Sequence, residues 1–194
     1  ELVLVILVKK SLVFIKLCIL KEKIDLISLR ISCKGEISTM LINCFVIKVK
    51  LMLIRLKNKD TLQLDDFTLK CSIGRHGITS KKTEGDECTP RGVFTLGKLY
   101  YRADRVSKPK TVIPCRIIKK NMGWCDDVNN KFYNQEIKIN KKIKHEKLFK
   151  KDNSYNYFVV INYNTKNIKP RIGSAIFLHL TKNYRKTAGC VAVK

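Results

Sequence analysis

From about Leu53 to its end the chain is a succession of short runs of strand length, each closed by turn residues. Phe67–Ile73 stops at Gly74 and Gly77, and Val93–Tyr101 is entered through Thr89-Pro90-Arg91-Gly92. Cys115–Lys119 and Tyr157–Tyr163 are rich in β-branched or aromatic residues, Ser174–Leu180 is an apolar run, and Cys190–Val193 begins one more. Such runs, bounded by Gly, Asn, Asp and Lys, predict strands. Amphipathic helical periodicity is nearly absent. Only His145–Lys151 reads as a turn or two of helix. The expected fold is therefore mainly β, with few short helices, over residues 52–194.

Residues 1–51 have a different texture. Leu2–Val8 is apolar but is interrupted by Lys9 and Lys10, and Ser11–Leu20 is broken by Lys16. Neither run approaches the roughly 20 apolar residues that span a bilayer. A secretory leader places its charges before the apolar stretch; here they come after it. The chain begins with Glu1, and Met40 and Met52 are plausible starts for the strand-rich domain. Residues 1–51 are thus read as an N-terminal extension, either a misassigned start or a degraded signal or anchor.

Charge enters as a test of function class. The 194 residues carry a formal +24, which invites a nucleic-acid partner. Yet 31 of the 40 basic residues are Lys, and Ile and Asn are abundant as well. AT-rich codons spell all three. No Arg-rich cluster or base-reading motif accompanies the charge, so a nucleic-acid partner is not expected. The tract Asn140–Lys151, with six lysines, reads as a solvated face.

Of eight cysteines, Cys18, Cys33 and Cys44 fall in the extension. Cys71, Cys88, Cys115, Cys125 and Cys190 are 17, 27, 10 and 65 positions apart, and no pair has the spacing of a zinc site. No metal and no cofactor are expected. Cys71 and Cys115 lie inside strand-like runs and read as small core residues. Cys190 differs, because it comes directly after Gly189 in Thr187-Ala188-Gly189-Cys190-Val191. A cysteine nucleophile needs a base in reach and backbone N–H donors for the oxyanion, and glycine lets a carbonyl approach closely. His179 stands eleven positions upstream near the end of an apolar run, and polar Thr181–Ala188 is long enough to turn back. Alternation puts Ala175, Phe177 and His179 on one strand face. A His–Cys pair of this kind is expected to lower the thiol pKa. A buried strand cysteine and a histidine satisfied by a carbonyl are the plain alternatives.

The run Gly173-Ser174-Ala175-Ile176-Phe177-Leu178-His179, then Tyr184, then Thr187-Ala188-Gly189-Cys190-Val191-Ala192, resembles the catalytic signature of the L,D-transpeptidase (YkuD-type) family. Upstream, Thr89-Pro90-Arg91-Gly92-Val93-Phe94, Met122-Gly123-Trp124-Cys125-Asp126-Asp127, Tyr133-Asn134, His145-Glu146, Asp152, Tyr155 and Tyr163-Asn164 are similar to further motifs of it, over roughly residues 67–194. The resemblance implies a β-sandwich of mixed sheets. It also implies a reaction on peptidoglycan stem peptides through a thioester on Cys190. His179 would be the base and then the acid, and the backbone around Gly189 and Cys190 would hold the oxyanion. Thr187, Ser174, Tyr184, His145 and Trp124 would contact substrate, with Trp124 also readable as core, His145 as part of a solvated loop, and Thr187 as a shaper of the turn or a positioner of the base.

Two departures bear on activity. Many members carry a second His where this chain has Ala188, and a polar residue where it has Ala192. Members usually continue past the position of Lys194, so the chain reads as a truncated product. The expected activity is L,D-transpeptidation in the periplasm or cell envelope. The alternatives are hydrolysis of the same stem peptide, as an L,D-carboxypeptidase, and a non-catalytic peptidoglycan-binding relative.

Overall fold

The structure, a computed structural model, describes residues 4–9 and 51–194. Expectations placed on residues 10–50, including their three cysteines, lie outside the described residues. Among the described residues fourteen strands appear in chain order: β1 Leu4–Lys9, β2 Leu51–Leu56, β3 Thr61–Leu64, β4 Phe67–Ser72, β5 Ile78–Thr79, β6 Thr89–Pro90 and β7 Gly92–Tyr101. Then come β8 Cys115–Ile117, β9 Met122–Cys125, β10 Glu136–Lys138, β11 His145–Lys147, β12 Tyr157–Ile161, β13 Phe177–Leu180 and β14 Val191–Val193. No helix occurs among the described residues, and the mainly β expectation holds.

Nine strands form one mixed sheet in the order β1-β2-β3-β4-β14-β13-β12-β7-β8. It curls, because β1 also pairs along β7, Leu4 opposite Gly92. A three-stranded antiparallel sheet, β10-β9-β11, packs on it, and β5 and β6 make a small parallel pair. The β3–β4 hairpin turns on Asp65-Asp66, with Leu64 opposite Phe67 and Asp65 at a φ of 47°. Aspartate tolerates that left-handed conformation, which a two-residue hairpin loop needs.

Two buried clusters flank the large sheet. One gathers Ile54, Leu56, Leu62, Cys71, Ile73, Ile161, Ile176 and Val191. The other joins Tyr100, Phe158 and Phe177 of the large sheet to Met122 and Trp124 of the small one, with Leu148, Tyr155 and Cys190. Cys190 and Val191 are neighbours in sequence yet serve different clusters, as the two-residue period of a strand requires.

Two local expectations are corrected. His145–Lys151 forms no helix; its first three residues are β11, with His145 opposite Cys125 and Lys147 opposite Gly123. A turn or two of helix is unstable alone, whereas the fully buried β9 has backbone groups that must be paired. Gly123 admits this neighbour, since a Cβ there would lie 2.8 Å from His145 Cδ2. Second, the run from Ser174 becomes strand only at Phe177. Ala175 has a φ of 53°, which interrupts the expected alternation before Phe177.

Candidate active site

β13 and β14 run parallel, with Leu178 opposite Val191 and His179 opposite Ala192. The segment between them must therefore cross back, and it delivers Cys190 to the start of β14 beside Phe177. The Phe177 N–H donates to Cys190 Sγ at 3.3 Å, and the thiol donates to the Ala175 carbonyl at 3.2 Å. Cys190 is 8% exposed. Burial pushes its pKa up to about 12, and the Glu146 charge adds to this; the Phe177 N–H, Lys150 and Lys82 pull the other way. The resting sulfur is thus a neutral thiol. The expectation that His179 lowers the thiol pKa is corrected: loss of hydration outweighs every nearby stabiliser of the thiolate.

His179 lies one strand over. Its Nδ1 sits 2.8 Å from the Leu180 carbonyl, which can only accept, so Nδ1 carries the proton and Nε2 is the basic atom. Burial lowers the His179 pKa, while the Leu180 bond and the Glu146 and Asp152 charges raise it and Lys150 lowers it. The imidazole meets the Tyr155 ring at 5.3 Å and 67°. The Tyr155 hydroxyl donates to Glu146 Oε1 at 2.7 Å.

The segment ahead of the cysteine is fixed from two sides. Thr187 Oγ1 donates to the Cys190 carbonyl at 2.6 Å and accepts from the Gly189 N–H at 3.2 Å. Thr187 therefore shapes the turn, one of the two roles open to it in sequence. Thr89 Oγ1 accepts from the Gly74 N–H at 2.9 Å and donates to the Gly189 carbonyl at 2.8 Å. Gly189 has a φ of 135°, and a Cβ on it would lie 2.8 Å from the Cys88 carbonyl oxygen and 3.2 Å from Ile176 Cδ1. Only glycine fits that place.

A cleft of about 1160 Å³ opens over these groups, and Cys190, His179, Thr187 and Ser174 all line it. Lys144, Lys150 and Lys151 of the lysine-rich tract line it too, with Glu146 and Tyr155. Trp124, His145 and Tyr184 do not. Trp124 is core, edge-on to Tyr100 and Phe177, and its Nε1 donates to Asn134 Oδ1 at 2.9 Å. His145 packs on Gly123, with Nδ1 at 2.6 Å from the Ile143 carbonyl. Tyr184, at a φ of 50°, lies under the Lys70 ammonium.

Asn134 falls in a motif that resembles the family's but has no expected role there, and the structure makes it a support of the site. Its Oδ1 accepts the Ala175 N–H at 3.0 Å, and its Nδ2 donates to the Tyr163 and Asn164 carbonyls at 3.1 and 2.7 Å. It holds the residue whose carbonyl holds the thiol. Among the described residues no group of His, Cys, Asp and Glu is arranged to bind a metal, and all five cysteines there are free.

A model of the L,D-transpeptidase catalytic domain (YkuD) matches residues 49–194. The chain belongs to the L,D-transpeptidase catalytic-domain family. No curated protein and no solved structure gives a significant match. The match takes in the cleft and the strands β2 to β14 that frame it, and members of this family act on peptidoglycan peptides. Among the described residues, no helix of this L,D-transpeptidase-family chain is long and apolar enough to cross a membrane.

Proposed function

We propose that this domain is a cysteine-dependent L,D-transpeptidase that remodels or cross-links peptidoglycan in the cell envelope, with Cys190 as nucleophile and His179 as acid–base. One observation carries the reading. A buried thiol, held between the Phe177 N–H and the Ala175 carbonyl, lines the same cleft as a histidine whose Nδ1 is fixed as a donor.

The stem peptide binds with the carbonyl of its third residue at Sγ. Both partners start neutral, so His179 Nε2 takes the thiol proton as the sulfur–carbon bond forms. The carbonyl oxygen becomes an oxyanion, which the Cys190 N–H stabilises, joined by the Gly189 N–H if it turns from Thr187 Oγ1. The carbon–nitrogen bond then breaks, and the proton on His179 passes to the departing amino group of the terminal D-alanine. A thioester remains. An amine from another stem attacks it, losing a proton to His179, and the new amide releases the thiolate, which takes that proton back. Water in place of the amine would give the L,D-carboxypeptidase outcome. The cationic lining from Lys82, Lys150 and Arg185 suits the carboxylates of a stem peptide.

A non-catalytic wall-peptide binder is the second reading, favoured by the raised thiol pKa. The test weighs the intact protein after incubation with a carbapenem, a mimic of the acyl donor. One adduct on the wild type and none on Cys190→Ala is expected. Absence of an adduct on folded protein, or one that survives the substitution, overturns the catalytic reading.

A further inference from the structure

We propose that Glu146 and Tyr155 are positioning residues for His179, the carboxylate anchoring the phenol and the phenol ring holding the plane of the imidazole at the cleft. The proposal deepens the reading of His179 as the acid–base and rests on it.

Three elements meet here. Glu146 is the middle residue of β11, in register with Trp124 of β9, so its backbone belongs to the small sheet. Tyr155 precedes β12 and is 4% exposed. His179 belongs to β13 of the large sheet. The Tyr155 hydroxyl donates to Glu146 Oε1 at 2.7 Å, and the same oxygen takes the Lys150 ammonium at 2.9 Å. That ammonium also stands 5.0 Å over the phenol ring. The ring is packed against Phe158 at 4.9 Å and Phe177 at 6.0 Å. With its hydroxyl tied and its flanks packed, the phenol cannot tilt without breaking a partly buried hydrogen bond. Among the described residues the His179 ring is hydrogen-bonded only through Nδ1. One bond fixes one ring atom and leaves the plane free to swing, and the Tyr155 ring at 5.3 Å restricts that swing.

The same contacts serve the protonated ring once proton transfer has occurred. An imidazolium gains from an aromatic neighbour and from a nearby carboxylate. Glu146 and Asp152 raise the His179 affinity for the proton, and Lys150 opposes them. Lys82 and Lys150 face the thiol together with Glu146. Asp152 is held ionised first by the Ser154 hydroxyl, so it remains when Glu146 is neutralised. Removing the Glu146 charge should therefore move the His179 pKa further down, and the thiol down with it.

The experiment uses the full chain with Glu146→Gln, Glu146→Asp and Tyr155→Phe. His179 is titrated by NMR, and carbapenem acylation is timed across pH. Glu146→Gln keeps an acceptor for the phenol but loses the charge. It should lower the His179 midpoint and move the acid limb of acylation down by the same amount. Glu146→Asp should restore part of the midpoint. Tyr155→Phe frees the anchor while keeping the charge, so it should slow acylation with a smaller midpoint shift. An unchanged midpoint and acid limb in Glu146→Gln overturns the proposal, as does a Tyr155→Phe variant that reacts like the wild type. If the wild type takes no adduct while Glu146→Gln still shifts the midpoint, the coupling to His179 stands and the catalytic reading fails. Should Glu146→Gln not fold, an unshifted midpoint in Glu146→Asp together with wild-type behaviour of Tyr155→Phe overturns it equally.

Discussion

The Thr89 hydroxyl donates to the Gly189 carbonyl at 2.8 Å, across 100 residues of sequence. Thr89 is wholly buried and also accepts the Gly74 N–H. Thr89 and Pro90 form the short strand β6 and not the expected turn, and this one side chain ties that strand to the peptide ahead of Cys190. The hydroxyl satisfies two backbone groups in a buried place, where polar groups need a partner.

Thr89→Val keeps the shape and leaves both groups unpaired. It should cost ~2–4 kcal/mol, since each buried polar group left without a partner costs roughly 1–3. Urea denaturation measures this, and Thr89→Ser should recover most of the loss. A Thr89→Val protein with the wild-type midpoint would show that the bond is unimportant.

Asn134 should be sensitive for two separable reasons. Its side chain makes four hydrogen bonds, one of them to the Ala175 N–H, and its φ is 55°. Asn134→Gly removes only the bonds, whereas Asn134→Ala adds backbone strain of roughly 1 kcal/mol. Alanine should therefore be the less stable of the two. In both, Cys190 should react faster with iodoacetamide, because the segment carrying its acceptor carbonyl is loosened. Equal stability of the two variants would remove the conformational part of this account.

The thiols predict an alkaline weakness. Cys190 and Cys71 each have a pKa pushed up to about 12 by burial. A group whose folded pKa lies above its unfolded value stabilises the fold below the unfolded pKa and loses that contribution as pH rises through the folded one. Stability should thus decline from about pH 9 toward 12, measured as the urea midpoint against pH. Cys190→Ser should blunt the decline. In the native protein at pH 7.5, peptide mapping after iodoacetamide should find Cys88 and Cys115, which are partly exposed, labelled before Cys190.

His179 sets the acid side. Its pKa is lowered, first by burial. The neutral ring that accepts the thiol proton therefore persists below its ordinary value, and the acid limb of carbapenem acylation should have its midpoint under pH 6.5. A limb at or above that value would contradict the burial of the ring.

Gly189→Ala should be the most damaging small change in the loop. At a φ of 135° its Cβ would meet the Cys88 carbonyl oxygen at 2.8 Å. Strain and overlap together should cost about 3 kcal/mol or more, visible in thermal melting. Wild-type melting would mean that the loop adopts another conformation.

Much of the molecule was legible in local pattern. The strands at Phe67, Val93, Cys115, Tyr157 and Cys190 stand within a few residues of their predicted bounds, because β-branched and aromatic runs between turn residues carry their own signal. β9 and β11 did not show, because Met122–Cys125 contains a glycine and His145–Lys147 is polar. Each is a strand through its partner across the ladder, and no property of either segment alone reveals that partner.

The site divides along the same line. Sequence alone pointed to Cys190, His179, Gly189 and the polar segment that returns between them as candidates, since residue types and spacing suggest a thiol, a base and an open backbone and the motif resembles a known family's. Only the tertiary structure decided the rest. It put Trp124 in the core and His145 against Gly123, made Asn134 the support of Ala175 and Thr89 the clasp on Gly189, and left the thiol protonated. Burial and hydrogen-bond partners are properties of what surrounds a residue in space. Here those surroundings come from segments as far as 100 positions away.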